Sequence, residues 1–333
     1  MVDFDRFYMQ AAIEEAWKYQ LLTYPNPAVG AAIVKNGRLL SIEAHKAAGK
    51  PHAEVEAAKE AYYLLTGDEK IRSIEDPLHL HNYLTTHAGE LFVDATIYIT
   101  LEPCFHYGKT PPCTFLIRDL RFKRVVVALP DPNPKATGGI DYLRQHGIQV
   151  DVGVCKEEAR DLLEPFVKWS QGRFVLFKLA QHLNGGITGG TISSLASREF
   201  VHKIRSKIDL LAIGGATVRI DRPRLDARLV GGPAPDLLIY SKEQKFNKKI
   251  PLFSVKDRKI YIEDSLEKIM KHKFVMIEGG EGMLKATRGI VDWYLWFVAP
   301  TLSREENYKI EKKVTFLKSV KIDKDIMIWS RNG

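Results

Sequence analysis

The sequence predicts an α/β protein built as two successive units, on three observations. Short β-branched runs alternate with amphipathic helical stretches in two separate series. The chain has 333 residues, more than one hydrophobic core usually serves. Its composition, 45% hydrophobic and 27% charged, is ordinary globular usage and excludes disorder, collagen-like repeats and an acidic tail.

In chain order, Phe7, Ala11, Ala12, Ala16 and Tyr19 stand at helical spacing and predict a first helix over 5–20. Tyr24-Pro25-Asn26-Pro27 is expected to end it, because proline cannot continue a helix and pushes its predecessor to extended backbone. Ala28–Val34 and Arg38–Ala44 read as two strands joined at Lys35-Asn36-Gly37. A second helix is expected over 53–65, and residues 67–92 show no periodicity and read as an inserted excursion. A strand over Ala95–Thr100, a short helix over Thr114–Leu120, and strands over Arg124–Leu129 and near Ile148–Val152 complete the first series. A charged helix over Lys156–Ser170 leads out of it. The second series holds Phe174–Leu179, a helix over Ser197–Lys207, Asp209–Ile213, Asp236–Tyr240, Phe274–Glu278 and Trp293–Val298. The expected division is a first unit over 1–155, a linker helix over about 156–171 and a second unit over 172–333.

A spanning helix needs roughly 20 consecutive apolar residues, and the sequence holds no such run. Nor does Met1-Val2-Asp3-Phe4-Asp5-Arg6 carry a secretory apolar stretch. The expectation is a soluble, cytoplasmic protein. Lys and Arg number 49 against 41 Asp and Glu, a net charge of +8. That charge fits a phosphorylated small substrate as well as nucleic acid, and Lys245–Lys249 reads as a solvated turn. Three cysteines cannot form a disulfide framework; in a reducing compartment they point to metal, catalysis or burial.

His52-Ala53-Glu54 stands at the start of the second helix, and Pro103-Cys104 and Cys113 follow the strand ending at Thr100. One histidine and two cysteines make three ligands for a tetrahedral zinc with the fourth position open to water, the arrangement of a catalytic site. Zinc lowers the pKa of that water toward neutrality. Glu54, two residues from the ligand histidine, can take its proton and pass it to a leaving nitrogen. This is the logic of the zinc deaminases, with one difference: eight residues separate the cysteines here. Phe105–Pro112 contains Gly108, Pro111 and Pro112 and can fold as a rigid loop returning Cys113 beside Cys104; His106 is a competing ligand. His79, His81 and His87 read as exposed loop histidines, and Cys155 as a buried one without a role.

Pro25-Asn26-Pro27-Ala28-Val29-Gly30, His45, Gly49, His52-Ala53-Glu54, Thr100-Leu101-Glu102-Pro103-Cys104, Thr110-Pro111-Pro112-Cys113 and Asp131-Pro132-Asn133-Pro134 together resemble the bifunctional riboflavin-biosynthesis deaminase/reductase family. The resemblance implies deamination of 2,5-diamino-6-ribosylamino-4(3H)-pyrimidinone 5′-phosphate. By motif, Asn26, His45, Lys109, Asp131 and Asn133 would hold that substrate. A lysine and a histidine suit its phosphate, and Asn and Asp suit ring edges and hydroxyls. Read without the family, Asp131–Pro134 is only a turn.

The match continues through Lys178-Leu179-Ala180, Leu183-Asn184-Gly185, Ser197-Arg198, His202, Arg205, Gly214-Gly215-Ala216-Thr217, Asp221–Leu225, Arg228, Ile277-Glu278-Gly279-Gly280 and Val298-Ala299-Pro300. This half resembles the family's reductase, which uses NADPH to convert the ribosylamino to a ribitylamino group. Glycines between a strand and a helix let backbone amides approach a pyrophosphate, although Gly214-Gly215 and Gly279-Gly280 each read equally as turns. Carried over by position, Ala180, Thr191, Thr217, Asp221 and Gly280 would contact NADPH, and Arg205, Leu225, Arg228 and Glu278 the substrate. Arg198 and His202 suit helix-surface positions equally well. The chain departs from the family at Asn184, where an aspartate is usual, and at Gly189–Ser193, which is shorter and lacks a tryptophan.

The resemblance thus implies a cytidine-deaminase-like α/β/α unit followed by a dihydrofolate-reductase-like α/β unit, with zinc and NADPH as cofactors. Its partner would be a phosphorylated pyrimidine, neither nucleic acid nor membrane, and the chain would assemble as a dimer or tetramer. The alternatives are a deaminase with a degenerate reductase half, a zinc deaminase of nucleosides or nucleic acid, and a binding module in which zinc is only a staple.

Overall fold

The computed structural model describes residues 3–108, 111–132, 137–304 and 308–333. The chain forms two compact units, Met1–Val167 and Lys168–Gly333.

In the first unit, α1 (Phe4–Trp17) starts at Asp3, whose carboxylate accepts the Arg6 N–H at 3.1 Å, a helix cap. It ends at Lys18, earlier than the prolines predicted. The Lys18 and Tyr19 N–H groups bond back three residues to Glu15 and Ala16, tightening the last turn before a run of turns carries the chain to Pro25. β1 (Gly30–Lys35) and β2 (Arg38–Ala44) form a hairpin. Asn36 and Gly37, at φ 53° and 72°, supply the two positive-φ positions that a two-residue hairpin turn requires.

α2 (Ala53–Thr66) follows. The expected irregular excursion instead forms α3 (Glu69–Arg72) and α4 (Pro77–His87). Asp76 accepts the His79 N–H at 2.8 Å with Pro77 in the first turn, a cap-and-proline start legible in the sequence. Leu80, Leu84 and Ala88 recur at four-residue spacing and are buried; polar residues around them hid the period. After β3 (Thr96–Ile99), α5 (Cys113–Asp119) and β4 (Arg124–Val127) come α6 (Gly139–Gln145), not foreseen, β5 (Gln149–Val152) and α7 (Lys156–Gln171).

The sheet order is β2-β1-β3-β4-β5, with the hairpin and β1/β3 antiparallel and β3/β4/β5 parallel. Ala31, Ile33, Ile97, Ile99, Val125 and Val127 share one core with Ala53, Ala57, Ala58 and Leu116. The alternate residues face the other way, where Gly30 lies so close to α1 that a Cβ would sit 2.0 Å from the Ala12 carbonyl oxygen. Burial on both faces explains why these strands read as continuous apolar runs.

The second unit contains β6 (Phe174–His182), α8 (Leu195–Arg205), β7 (Leu210–Gly214), α9 (Gly215–Asp221), β8 (Asp236–Tyr240), β9 (Ile260–Glu263), β10 (Phe274–Glu278), α10 (Glu281–Ala286), β11 (Trp293–Ala299), β12 (Val314–Ile322) and β13 (Asp325–Asn332). The sequence reading lacks β9 and the final hairpin, and gives no range to the helices it allows after Gly214-Gly215 and Gly279-Gly280, which are α9 and α10. The sheet order is β12-β13-β11-β6-β10-β7-β8-β9; β11 through β9 in that order run parallel, and β13 and β12 add an antiparallel edge. In such sheets ligands bind beyond the carboxyl ends of the strands, where Gly214 and Glu278-Gly279-Gly280 lie on neighbouring strands.

Candidate active sites

In the first unit the chemistry gathers where the carboxyl end of β3 meets the amino ends of α2 and α5. His52 is the N-cap residue of α2, Glu54 lies in its first turn, and Cys113 is the first residue of α5. His52 Nδ1 stands 3.4 Å from Cys113 Sγ and 3.8 Å from Cys104 Sγ, and the Cys113 N–H donates to Cys104 Sγ at 3.3 Å. The three donor atoms lie within 4.8 Å of one another, an imidazole and two thiols converging as a tetrahedral zinc requires. His106 is not in this cluster among the described residues.

Without a metal, the Cys113 hydrogen bond lowers the Cys104 pKa against the cost of burial, with His52 adding to the effect. That same bond, with burial, raises the Cys113 thiol. Burial opposes charge on His52, but the bond and charge of Cys104 raise it. Two thiols and an imidazole so placed release their protons when a cation binds. Burial also raises the Glu54 carboxyl, which the His52 charge opposes, the direction a proton-carrying group needs.

A cavity of about 250 Å³ opens on this cluster and is lined by Asn26, His45, His52, Glu54, Glu102, Cys104 and Asp131, among others. His45 Nδ1 lies 2.9 Å from the Pro51 carbonyl oxygen and Nε2 lies 3.0 Å from Asn26 Nδ2. The first bond makes Nδ1 the donor, so Nε2 accepts from Asn26 and the ring is neutral. Burial lowers its pKa to about 4, the Pro51 bond and His52 being smaller influences. His45 therefore presents a polar edge rather than the positive charge that would suit a phosphate. Lys109 and Asn133 lie outside the described residues.

A second cavity of about 420 Å³ shares Asn26, His52 and Cys104 and adds Lys50, Cys113 and His81. His81 corrects the sequence reading: it is helical, 6% exposed and part of a site wall. His79 and His87 are helical too, with exposed side chains. Cys155 is buried, as expected.

In the second unit Arg205, at the end of α8, clasps Glu278, at the end of β10, through Nε–Oε1 at 2.8 Å and Nη2–Oε2 at 2.9 Å. Lys178 lies opposite Glu278 in the β6/β10 register, its Nζ 4.0 Å from Oε2. Burial lowers the Lys178 pKa against the pull of Glu278. Burial would raise Glu278, but Arg205 and Lys178 together hold it low. Asp226 receives Arg224 Nε at 2.7 Å and Arg228 Nη1 at 2.6 Å, and its carbonyl accepts from Arg205 at 3.3 Å. Arg205, Glu278 and Arg228 thus come together, with buried Leu225 beside Asp226.

His202 is 6% exposed rather than a surface residue. It accepts the Leu229 N–H on Nδ1 at 3.3 Å and meets Arg205 Nη1 at 3.4 Å; burial, with the Arg205 and Arg228 charges, lowers its pKa to about 4. Arg198 is exposed. Sequence reasoning missed the roles of Lys178, Asp226 and Arg258; the last donates to the carbonyls of Leu252 and Arg224 at 2.6 and 3.1 Å and braces the 222–228 turn.

Of the residues expected at the cofactor, Ala180 and Thr217 are half-buried and Gly280 caps α10. A Cβ on Gly279 would meet Met283 Cγ at 2.6 Å, and one on Gly214 would meet the same atom at 3.1 Å. The two strand ends are therefore packed against Met283 of α10, which leaves no room for a Cβ at either glycine. Thr191 and Asp221 are exposed, and among the described residues no hydrogen bond ties either to this cluster. Asn184 is engaged with Ser303, donating to its carbonyl at 2.8 Å and accepting its N–H at 3.0 Å.

The cytidine and deoxycytidylate deaminase zinc-binding region matches residues 2–129, and the RibD C-terminal domain matches residues 173–328. The riboflavin biosynthesis protein RibD of Aquifex aeolicus is 34% identical over 93% of this chain and 95% of its own length. That of Escherichia coli is 34% identical over 67% of this chain and 56% of its own. The crystal structure of the Thermotoga maritima diaminohydroxyphosphoribosylaminopyrimidine deaminase/5-amino-6-(5-phosphoribosylamino)uracil reductase superposes with a TM-score of 0.69 at 27% identity, covering 99% of both chains. Acinetobacter baumannii RibD gives 0.65 at 28% identity, also over 99% of both. Likeness sustained across both halves and nearly the full length of a relative shows that this chain belongs to the RibD family of riboflavin biosynthesis proteins.

Proposed function

We propose that this chain carries out two consecutive steps on one phosphorylated pyrimidine. The first is hydrolytic deamination of 2,5-diamino-6-ribosylamino-4(3H)-pyrimidinone 5′-phosphate. The second is NADPH-dependent reduction to 5-amino-6-ribitylamino-2,4(1H,3H)-pyrimidinedione 5′-phosphate. The observation that carries the reading is the convergence of the His52, Cys104 and Cys113 donor atoms, with His52 and Cys104 on the wall of the cavity that Glu54 also lines.

His52, Cys104 and Cys113 would hold the zinc ion, which when bound supplies a Lewis acid that makes water acidic near neutral pH. Glu54 takes a proton from the attacking water and returns it to the amine nitrogen; the C–N bond breaks, a C=O bond replaces it and ammonia leaves. Asn26, oriented by neutral His45, and Asp131 present polar edges to the pyrimidinone. Lys109 and Asn133 complete this set by the family resemblance.

In residues 172–333 NADPH supplies a hydride to the sugar carbon when bound. Gly280, Thr217, Ala180, Thr191 and Asp221 would contact it, by the family resemblance. Arg205 holds Glu278 toward the substrate rather than binding phosphate itself, since its guanidinium is already committed. Arg228, the more exposed of the two, is the better phosphate partner, and buried Leu225 would contact the substrate by the family resemblance. Residues 1–155 would serve the deamination, with 156–171 as the linking helix. No described helix is long and apolar enough to cross a membrane; cytoplasmic placement is tested by fractionation, and assembly as a dimer or tetramer by light scattering.

Mass spectrometry of the product after zinc-loaded protein meets the diaminopyrimidinone tests the whole reading. Exchange of amine for oxygen without NADPH, and a gain of two hydrogens with it, is the expected result. Deamination alone would mean that the shortened Gly189–Ser193 stretch has cost the second half its cofactor, and an unchanged substrate would overturn the proposal.

A further inference from the structure

Glu102 lies two residues before Cys104, is 5% exposed and lines the deaminase cavity, yet the chemistry above makes no use of it. A buried carboxylate is costly unless its charge is met, and among the described residues no lysine or arginine pairs with Glu102. Backbone meets it instead. Oε2 accepts the Asp131 N–H at 3.1 Å, and Oε1 accepts the Gly138 N–H at 3.0 Å and the Ile140 N–H at 3.1 Å. One side chain thus holds the Asp131 backbone on one side and the Gly138 and Ile140 backbone on the other. A second close contact stands at the start of α6: a Cβ on Gly139 would stand 2.2 Å from the Pro103 carbonyl oxygen. Glu102 is itself held by its N–H donating to the Leu129 carbonyl at 2.8 Å.

We propose that Glu102 is a positioning residue for the deaminase substrate site, fixing Asp131 and the start of α6 against the loop that carries Cys104. The inference rests on the reading of Asp131 as a substrate contact. The chemistry requires a carboxylate, because three N–H donors converge on it and only a head with acceptors at both oxygens satisfies them. Glutamine has the same shape but points an NH₂ at at least one of those donors, so Glu102→Gln releases one side of the grip while filling the same space.

The test measures deaminase KM and kcat, zinc per chain, and reduction of separately supplied deaminated intermediate, all on the full-length protein. For Glu102→Gln the expected result is a KM raised about tenfold, the effect of losing one charge-assisted hydrogen bond. Its kcat, zinc content and reductase rate should stay near wild type. Glu102→Asp, which keeps both acceptor oxygens, should recover part of that KM loss. In the double variant with Asp131→Ala, the KM should match that of Asp131→Ala alone within about twofold, because the two residues act as a unit.

An unchanged KM in Glu102→Gln overturns the proposal, as does zinc loss with an intact reductase rate, which would make Glu102 a support of the ligand cluster. Independent, multiplying effects in the double variant overturn it too. If Glu102→Gln fails to fold, losing reductase as well, the KM of Glu102→Asp decides in the same way. A flat KM in Asp131→Ala, by contrast, would strike at the substrate reading itself.

Discussion

Glu54 shows how far single residues were legible. A carboxylate two positions from a histidine, followed by two cysteines, is a chemical pattern carried in short motifs, and the fold brings the three ligands together with His52, Glu54 and Cys104 lining one cavity. Glu54→Gln should reduce deamination at least about 10²-fold, the usual worth of general acid–base catalysis. Zinc content should be unchanged by elemental analysis, since Glu54 is not in the ligand set. His81, His202 and Glu102 were not legible in this way. Whether a histidine on a helix is exposed, or which amides a glutamate meets, depends on residues distant in sequence: His202 meets the Leu229 N–H, and Glu102 the N–H groups of Asp131, Gly138 and Ile140. At the same scale, Glu278→Gln removes the charge that Arg205 and Lys178 share. The measured reductase rate should fall at least about tenfold, by the loss of a charge-assisted pair, while deamination in the same preparation is unaffected.

Among elements, those with strong periods or β-branched runs were foreseen: α1, α2, α7 and the central strands of both sheets. Of those missed, α3, α4 and α6 are short or polar, whereas β12 and β13 run nine and eight residues. α6, α9 and α10 span only two turns or fewer, too little sequence for a 3.6-residue period to show, and they form because their buried faces meet a sheet. How elements are joined can be tested at Asp5, in the first turn of α1. Its carboxylate accepts Arg124 Nη1 at 2.8 Å, Nη2 at 2.7 Å and the Tyr98 hydroxyl at 2.7 Å, tying α1 to β4 and β3. The Arg124 hydrogen bonds lower the Asp5 pKa below its ordinary value. A depressed folded-state pKa stabilises above the unfolded pKa of about 3.9 and is lost as pH falls through the folded value. Asp5→Asn should therefore cost about 1–2 kcal/mol at pH 7. The gap in thermal midpoint from wild type should close as the pH is lowered toward and below the depressed pKa.

Across the whole molecule, two compact units divide the chain near Lys168, and the zinc donors all lie in the first. Chelation should then abolish deamination yet leave reduction of supplied intermediate intact. In calorimetry it should lower only the transition belonging to the first unit, by about 4 kcal/mol if zinc was present at a thousandfold excess over its Kd. A fall in both transitions would show that the two units unfold as one.

By itself the sequence determined the chemistry of the first site and the α/β class of both halves. The motifs that carry the ligands and the hydrophobic period are local properties, each written within a few residues. Only the tertiary structure decided that Arg205 serves Glu278, that His45 is neutral, that Pro77 and His81 line a cavity at the ligand cluster and that Glu102 accepts the Asp131 N–H. The reason is physical: the cost of burying a polar group is set by which distant backbone or side chain meets it, and only the folded chain brings them together.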